Sequence, residues 1–287
     1  MPHPIPPHEP RSLADLRRHY EVERQLADRL RDASHTDRRQ LYGEVYDELF
    51  RSLPDHPQLV HGADVASSDE VVRLQAILLD PLLSPGASLV EFGPGDAALA
   101  CRLAATLHTV YVVEASDVVL GSDLPPNVVR IDARDEPLSL PDASVDVAFS
   151  SHFIEHLHPE DGALHMAEVA RLLRPGGIYL CVTPNRIYGP HDVSRFFSDT
   201  PRGLHLREYS HGELADLMLA NGFDAAWRLK GIGQPPRPAG VGVARAVEFV
   251  SDLAPAGLRR WILEGPARVG RSAPFRPLEQ VVICGRR

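Results

Sequence analysis

The chain has 287 residues, 44% of them hydrophobic and 24% charged, which suits a globular protein with one core and an elaborated end. Its formal net charge of −9 argues against a general nucleic-acid binder, which needs a basic face to displace phosphate counterions. No apolar run approaches the ~18 residues of a membrane span.

In chain order, residues 1–10 ("MPHPIPPHEP") read as a disordered, Pro-rich tail. They lack the basic and apolar regions of a secretory signal, so the protein is expected in the cytoplasm. Residues 11–85 read as a helical lid or appendage. "LADLRRHYEVERQLADRL" spaces Leu13, Leu16, Tyr20, Leu26 and Leu30 near helical intervals, and "RRQLYGEVYDELFRSL" forms a second helix closed by Pro54. Ser67-x-x-Glu70 is a capping-box pattern that predicts the start of a third helix. Beyond residue 86 the texture alternates. Strands are predicted at "SLVEF" from Ser88, "TVYVVE" from Thr109, "NVVRI" from Asn127, "VDVAFS" from Val145 and "IYLCV" from Ile178, with helices such as "DAALACRLAATL" and "ALHMAEVARLL" between most of them. Alternation of this kind gives a parallel sheet covered on both faces. Ser210-x-x-Glu213 caps a helix over "ELADLMLANG", a strand follows at "AAWRLKG", a helix lies around "RAVEFV", and "EQVVICG" ends the sheet. The expected fold is α/β, a three-layer Rossmann-like sandwich over 86–287 with a seven-stranded, mostly parallel sheet whose last strand is antiparallel. Residues 185–209 form an insertion. Cys101, Cys181 and Cys284 fall in buried helix or strand without a C-x-x-C pair and are expected to stay reduced.

The chemistry concentrates first at "LVEFGPGDAALA". A strand runs into Gly93-Pro94-Gly95 and a helix starts at once, with Asp96 as its expected N-cap. Glycines at that point let the backbone approach a nucleoside ligand at the carboxyl end of the sheet. The pattern alone does not separate NAD from S-adenosylmethionine. Charge favours the second: Glu91 and Asp96 flank the turn where NAD would place its pyrophosphate, and acids there suit an ammonium and a sulfonium instead.

Four runs in order resemble the class I S-adenosylmethionine-dependent methyltransferases, of the kind called methyltransferase type 11, from about Ser88 to Phe223. "VEFGPGD" resembles the family's first motif, which implies Gly93 and Gly95 under the methionine moiety and Glu91 near its amino end. "YVVEAS" resembles the second, which implies Glu114 on the ribose hydroxyls and Ala115 against the adenine. "VRIDARDEPLSLPDASVDVAFS" implies Asp132 and Ala133 at the adenine edge, with Ser150 and Ser151 ending the fourth strand beside the cofactor. "EVARLLRPGGIYLCVTPN" resembles the helix, R-P-G-G turn and fifth strand. The glycine usual in the family after Gly95 is missing.

The stretch "SSHFIEHLHPED" holds His152-x-x-Glu155-His156, the spelling of an inverted zinc-peptidase motif. Its place at the end of the fourth strand argues against peptidase chemistry. Two imidazoles and a carboxylate could hold a divalent ion, but strand, turn and helix start do not assure the geometry, and no metal is expected. Methyl transfer needs an acceptor atom ~3 Å from the methyl and in line with the sulfur, and a hydroxyl acceptor gains from a base. A histidine can serve near neutral pH. His156 and His191 are the first candidates and His152 the next, although each could instead cap a helix or bind a carbonyl. Tyr42, Tyr46 and His61 from the helical appendage, and Asn185, Asp192, Arg195 and His205 from the insertion, are candidates for binding the acceptor. The expected function is transfer of a methyl group from S-adenosylmethionine, leaving S-adenosylhomocysteine, to a small-molecule acceptor of a biosynthetic or tailoring pathway. The acceptor atom is expected to be an oxygen of a hydroxyl or carboxylate. The alternatives are a non-catalytic S-adenosylmethionine-binding partner subunit and an NAD-dependent oxidoreductase. Neither nucleic acid nor membrane is an expected partner, and the oligomeric state is not legible.

Overall fold

A computed structural model describes residues 5, 9–54, 56, 65–116, 120, 123–230, 237–254 and 280–287. The candidate His61 and most of the expected tail over 1–10 lie outside the described residues. Helix α1 (Leu13–Asp32) opens on a capping box between Ser12 and Asp15, which satisfies two end groups that the helix cannot pair internally. Helix α2 (His35–Ser52) starts after Ser34, whose side chain accepts from Asp37 N. The two helices bury Leu26, Leu30, Val45 and Leu49 against each other, and Leu204 from the insertion joins that cluster. The appendage is thus packed onto the rest of the chain through its own apolar stripe.

Helix α3 (Val65–Leu79) begins before Ser67, so the Ser67-x-x-Glu70 pattern lies inside the helix and does not open it. The sheet then builds from β1 (Ser88–Phe92), β2 (Thr109–Glu114), β3 (Val128–Asp132), β4 (Val145–Ser151), β5 (Leu173–Pro184), β6 (Ala225–Lys230), β7 (Arg237–Ala239) and β8 (Gln280–Arg286). Its order is β3-β2-β1-β4-β5-β8-β6-β7. β1 to β5 are parallel, and β8 runs antiparallel to β5 and β6. The Rossmann-like arrangement is therefore as expected, with eight strands in place of seven. The added strand is Arg237–Ala239, which pairs antiparallel with β6 at the sheet edge. A stretch containing Pro238 is tolerated there because an edge strand can spare a donor.

Helices α4 (Ala98–Leu103), α5 (Pro159–Leu172), α6 (His211–Ala220) and α7 (Gly242–Leu253) complete the described layers. One apolar cluster joins Val90, Phe92 and Tyr179 to Met166 and Met218 of α5 and α6, and the other joins Leu89, Val112 and Phe149 to Leu79 and Leu99. Adjacent residues of β1 feed opposite clusters, as a sheet buried on both faces requires. The R-P-G-G run enters β5 as an irregularity: Val145 pairs with Leu173, and the next pair, Val147 with Ile178, skips four residues.

Candidate functional site

The turn after β1 is built for close approach. Gly93 and Gly95 have φ of 63° and 58°, a region open to glycine at little cost. A side chain on Gly93 would also collide with the Phe153 ring, 2.6 Å from the Cβ position. Ala97 sits where the family's further glycine is missing, and it adopts φ 57°, ψ 23° as the N-cap of α4 without a side-chain bond. Asp96, expected as that cap, stands one residue earlier, and its Oδ1 accepts from Ala98 N at 3.1 Å. Beneath the turn Glu91 is 5% exposed. Burial and the nearby charge of Asp96 push its carboxyl up to about 8, and its Oε2 has no hydrogen-bond partner. A buried, unpaired carboxyl oxygen at the end of β1 suits a cationic group, which favours its charged form.

At the end of β2, Glu114 Oε1 accepts from both Ala115 N and Ser116 N at 2.9 Å, which aims the carboxylate along the sheet edge. Burial raises its pKa, against those two amides. Ala133 N donates to the Glu114 carbonyl at 3.3 Å. Asp132 is engaged side-on by Arg134 at 2.7–3.0 Å. Ser150 is fully buried and its Oγ lies 2.7 Å from Tyr179 Oη, so its side chain belongs to the core, and its backbone lies between Phe92 and Cys181 in the sheet. Ser151 is half-buried beside it.

Helix α2 lies over this edge. A Cβ on Gly43 would come 3.0 Å from the Ala115 carbonyl oxygen, and Ser116 Oγ donates to Asp47 Oδ1 at 2.9 Å. Arg39 donates to the Arg134 carbonyl. Arg38, 2% exposed, donates to both oxygens of Asp161 at 2.7 and 2.8 Å. The Tyr42 hydroxyl donates to Asp161 Oδ2 at 2.6 Å and accepts from His158 N at 2.8 Å. Tyr42, a sequence candidate for acceptor binding, thus spends its hydroxyl on docking α2. Tyr46 points inward: its ring meets His156 edge-on at 5.9 Å. Burial first, then Glu23, Tyr42, Glu155 and Glu114, hold its hydroxyl far above the usual range.

The histidine mouth gathers around the loop after β4. His152 has φ 52°, a left-handed conformation uncommon for a side chain of this size. Its amide donates to the Val182 carbonyl at 2.9 Å, and its ring is half exposed with Nδ1 3.3 Å from Glu155 Oε1. Glu155 is fully buried, its Oε2 accepts from Thr183 Oγ1 at 2.9 Å, and Oε1 has no hydrogen-bond partner. Burial works to raise its pKa, but the rings of His152, His156 and His205 bring it down to about 2. His156 Nδ1 donates to the Leu204 carbonyl at 3.0 Å, and burial takes its ring down to about 4. His191 Nε2 donates to the Asn185 carbonyl at 2.9 Å, and burial lowers that ring too.

Residues from the stretch after β5 pack beside these rings, and His205 meets His156 edge-on at 4.9 Å. His205 Nδ1 donates to Glu208 Oε1 at 2.8 Å; burial opposes its charge, but Glu208 and the neighbouring acids raise it to about 9. Asp192 Oδ1 accepts from Ser194 N and Oδ2 from Gly203 N, at 3.0 and 2.9 Å, and burial lifts it to about 6. Glu23 of α1 reaches the same place, its Oε2 accepting from Leu204 N at 3.2 Å and its Oε1 held by His19 at 2.7 Å. Asn185 is buried, and its Oδ1 accepts from Ile187 N, so its side chain shapes the insertion. Arg195 lies over the Phe196 ring at 5.6 Å. Sequence reasoning missed Arg38, Asp161, Gly43, Phe153 and Glu208. Arg38 and Asp161 stand 123 residues apart, a separation at which no local pattern could pair them.

A sheet of this order with a glycine turn at its carboxyl edge defines a nucleotide-type cofactor domain. Residues 90–181 match the methyltransferase domain family. A Mycolicibacterium smegmatis protein described as a "probable S-adenosylmethionine-dependent methyltransferase" is 43% identical over 100 residues, covering 33% of this chain and 36% of its own. A Mycobacterium tuberculosis protein of the same description is 34% identical over 139 residues, covering 47% and 48%. The chain thus spans half or less of these curated relatives' length. The fold is shared with a SAM-dependent methyltransferase from Archaeoglobus fulgidus, at TM-score 0.51 and 16% identity over 79% of this chain and 98% of that one. Among the described residues, no helix is long and apolar enough to cross a membrane.

Proposed function

We propose that the chain is a cytoplasmic enzyme that methylates a hydroxyl oxygen of a small biosynthetic intermediate, with S-adenosylmethionine as donor. The observation that carries this reading is the pairing, on one sheet edge, of an acid-flanked glycine turn with a histidine mouth. Glu91, with its buried unpaired oxygen, fits the donor's ammonium; Gly93 and Gly95 fit the close approach of its methionine moiety; Glu114 fits two ribose hydroxyls, with Ala115, Asp132 and Ala133 around the adenine. A nicotinamide dinucleotide fits poorly, because its pyrophosphate would meet Glu91 and Asp96. Once bound, the donor supplies an activated methyl group on a positively charged sulfur.

The chain's own residues then have two tasks, to place the acceptor and to take its proton. His152 is the better base. Its ring is half exposed beside a buried carboxylate, and it directly follows β4, where the methyl is presented. His156 and His191 each spend one nitrogen on a backbone carbonyl and hold the mouth in shape. The His152 ring would take the proton of the acceptor hydroxyl and pass it to water, while a bound donor would supply the methyl group and keep the electron pair of its carbon–sulfur bond. Four buried acids of the mouth, Glu23, Glu155, Asp192 and Glu208, disfavour an anionic acceptor, which favours a hydroxyl over a carboxylate. Tyr46, His205 and Arg195 remain the acceptor-facing side chains.

Titration calorimetry with S-adenosylmethionine, S-adenosylhomocysteine and NAD tests the donor. Micromolar binding of the first two and none of NAD is expected; binding of NAD alone would overturn the reading. Incubating the protein with methyl-labelled donor and fractionated extracts tests the transfer, and label in a base-stable ether supports a hydroxyl where label in a base-labile ester would not.

A further inference from the structure

The His152-x-x-Glu155-His156 spelling is only partly absorbed by the proposed reaction, because Glu155 is buried and His156 spends Nδ1 on the Leu204 carbonyl. The fold adds a residue from the stretch after β5. One ligand atom each of Glu155, His156 and His205 lies within 4.8 Å of the other two. His152, which the spelling would have made the first ligand, is not in this set.

We infer that Glu155, His156 and His205 form a site for one divalent transition-metal ion of the zinc class. The outer atoms of all three residues are tied back: Glu155 Oε2 by Thr183 Oγ1 at 2.9 Å, His156 Nδ1 to the Leu204 carbonyl at 3.0 Å, His205 Nδ1 to Glu208 Oε1 at 2.8 Å. Bonds of that kind fix the tautomer and ring orientation of metal-binding histidines. In the neutral ring they leave Nε2 with its lone pair, and at His205, whose charged form the neighbouring acids favour, an ion would take the place of the Nε2 proton. Glu155 is fully buried, and its Oε1 meets only the half-exposed His152 ring, at a long 3.3 Å. A buried carboxylate oxygen held so weakly gains from a cation that meets it directly. Two imidazoles and one carboxylate suit zinc, cobalt, iron or manganese and leave coordination positions for water or an acceptor.

The other candidate sets are weaker. At His19, Glu23 and His56, Arg11 donates to His19 Nδ1 at 2.9 Å, which commits Nε2 to carry the proton given to Glu23. At His158, Glu160 and Asp161, the carboxylate of Asp161 is already saturated by Arg38 and Tyr42. The inference concerns the acceptor side of the site and rests on the proposed reaction only for its use: an ion there would place positive charge beside the acceptor hydroxyl and lower its pKa.

The test is binding of the metal alone to the full chain after chelator treatment. Zn²⁺ is titrated by calorimetry, and Co²⁺ is followed by its visible ligand-field bands. One ion per chain, bound at micromolar concentration or tighter, is expected. Affinity should fall at least about a hundredfold in His205→Ala and in Glu155→Gln, and about ten- to a hundredfold in Glu208→Gln, which meets the three ligands only through the outer nitrogen of His205 and also accepts from His191 N at 2.6 Å. His158→Ala should bind as the parent does. Absence of stoichiometric Co²⁺ or Zn²⁺ binding to the parent overturns the inference without any variant, and so does undiminished binding by a folded His205→Ala protein. Failure of the methyltransferase reading would appear separately, as absence of S-adenosylhomocysteine binding in both the metal-free and the metal-loaded protein.

Discussion

Glu91 offers the sharpest test of the donor site, because its burial couples ligand binding to pH. In the free protein the carboxyl titrates near 8, so it is mostly protonated at pH 7. An ammonium beside it favours the charged form and lowers that value in the complex. Binding therefore releases a proton, and affinity rises with pH between the bound and free values, by up to tenfold per unit. From pH 6.0 to 7.5 the dissociation constant for S-adenosylhomocysteine should fall up to ~30-fold, with the ligand's own amino group still mostly charged below its usual ~7.7–8.0. Glu91→Gln keeps the shape and removes the titrating proton, so its affinity should be weak and nearly flat over that range. Calorimetry in two buffers of different ionisation enthalpy measures the proton directly, approaching one released per ligand near pH 6.5 in the parent and none in Glu91→Gln. Methylthioadenosine, which lacks the amino-acid portion, should show no such slope. A flat parent profile with no buffer dependence, or a slope that survives in Glu91→Gln, would refute the assignment.

Three further outcomes are expected. His152→Ala should lower kcat by ~10²–10⁴-fold and leave the S-adenosylhomocysteine dissociation constant within about twofold, by calorimetry on the same preparation; equal loss of both would make His152 a scaffold residue. Arg38→Ala removes the buried partner of Asp161 and should destabilise the fold by about 3–5 kcal/mol in urea denaturation, far more than Arg24→Ala, whose ion pair on α1 is exposed. Ala97→Gly relieves a left-handed backbone at ~1–2 kcal/mol but deletes a buried methyl worth ~0.8 kcal/mol, so stability should move by no more than about 1 kcal/mol. Ala97→Val should cost ~2 kcal/mol or more, because a β-branched residue resists that conformation.

Much of the fold could be read locally. Alternation of apolar runs with helix caps locates β1, β2, β4, β6 and β8, and Ser210 with Glu213 forms the expected capping box. The cofactor turn was legible for the same reason, since glycines, the strand before them and the helix after them are neighbours in sequence. What could not be read depends on distant partners. Tyr42 looked like a pocket residue until Asp161 claimed its hydroxyl. His156 looked like a base until Leu204 claimed one nitrogen. The strand Arg237–Ala239 carries a proline and exists only because β6 leaves an edge to be paired. Ser67 failed as a cap because a favourable capping pattern does not prevent a helix from extending through it.

The docking of α2 carries a consequence for turnover. The helix is attached at once to the chain following β2 through Asp47 and Ser116, after β3 through Arg39 and Arg134, and after β4 through Arg38, Tyr42 and Asp161. On the proposed reading, a ligand leaving past this edge meets three anchors carried by one helix, so opening there is expected as a joint event, and strengthening any one anchor is expected to slow departure.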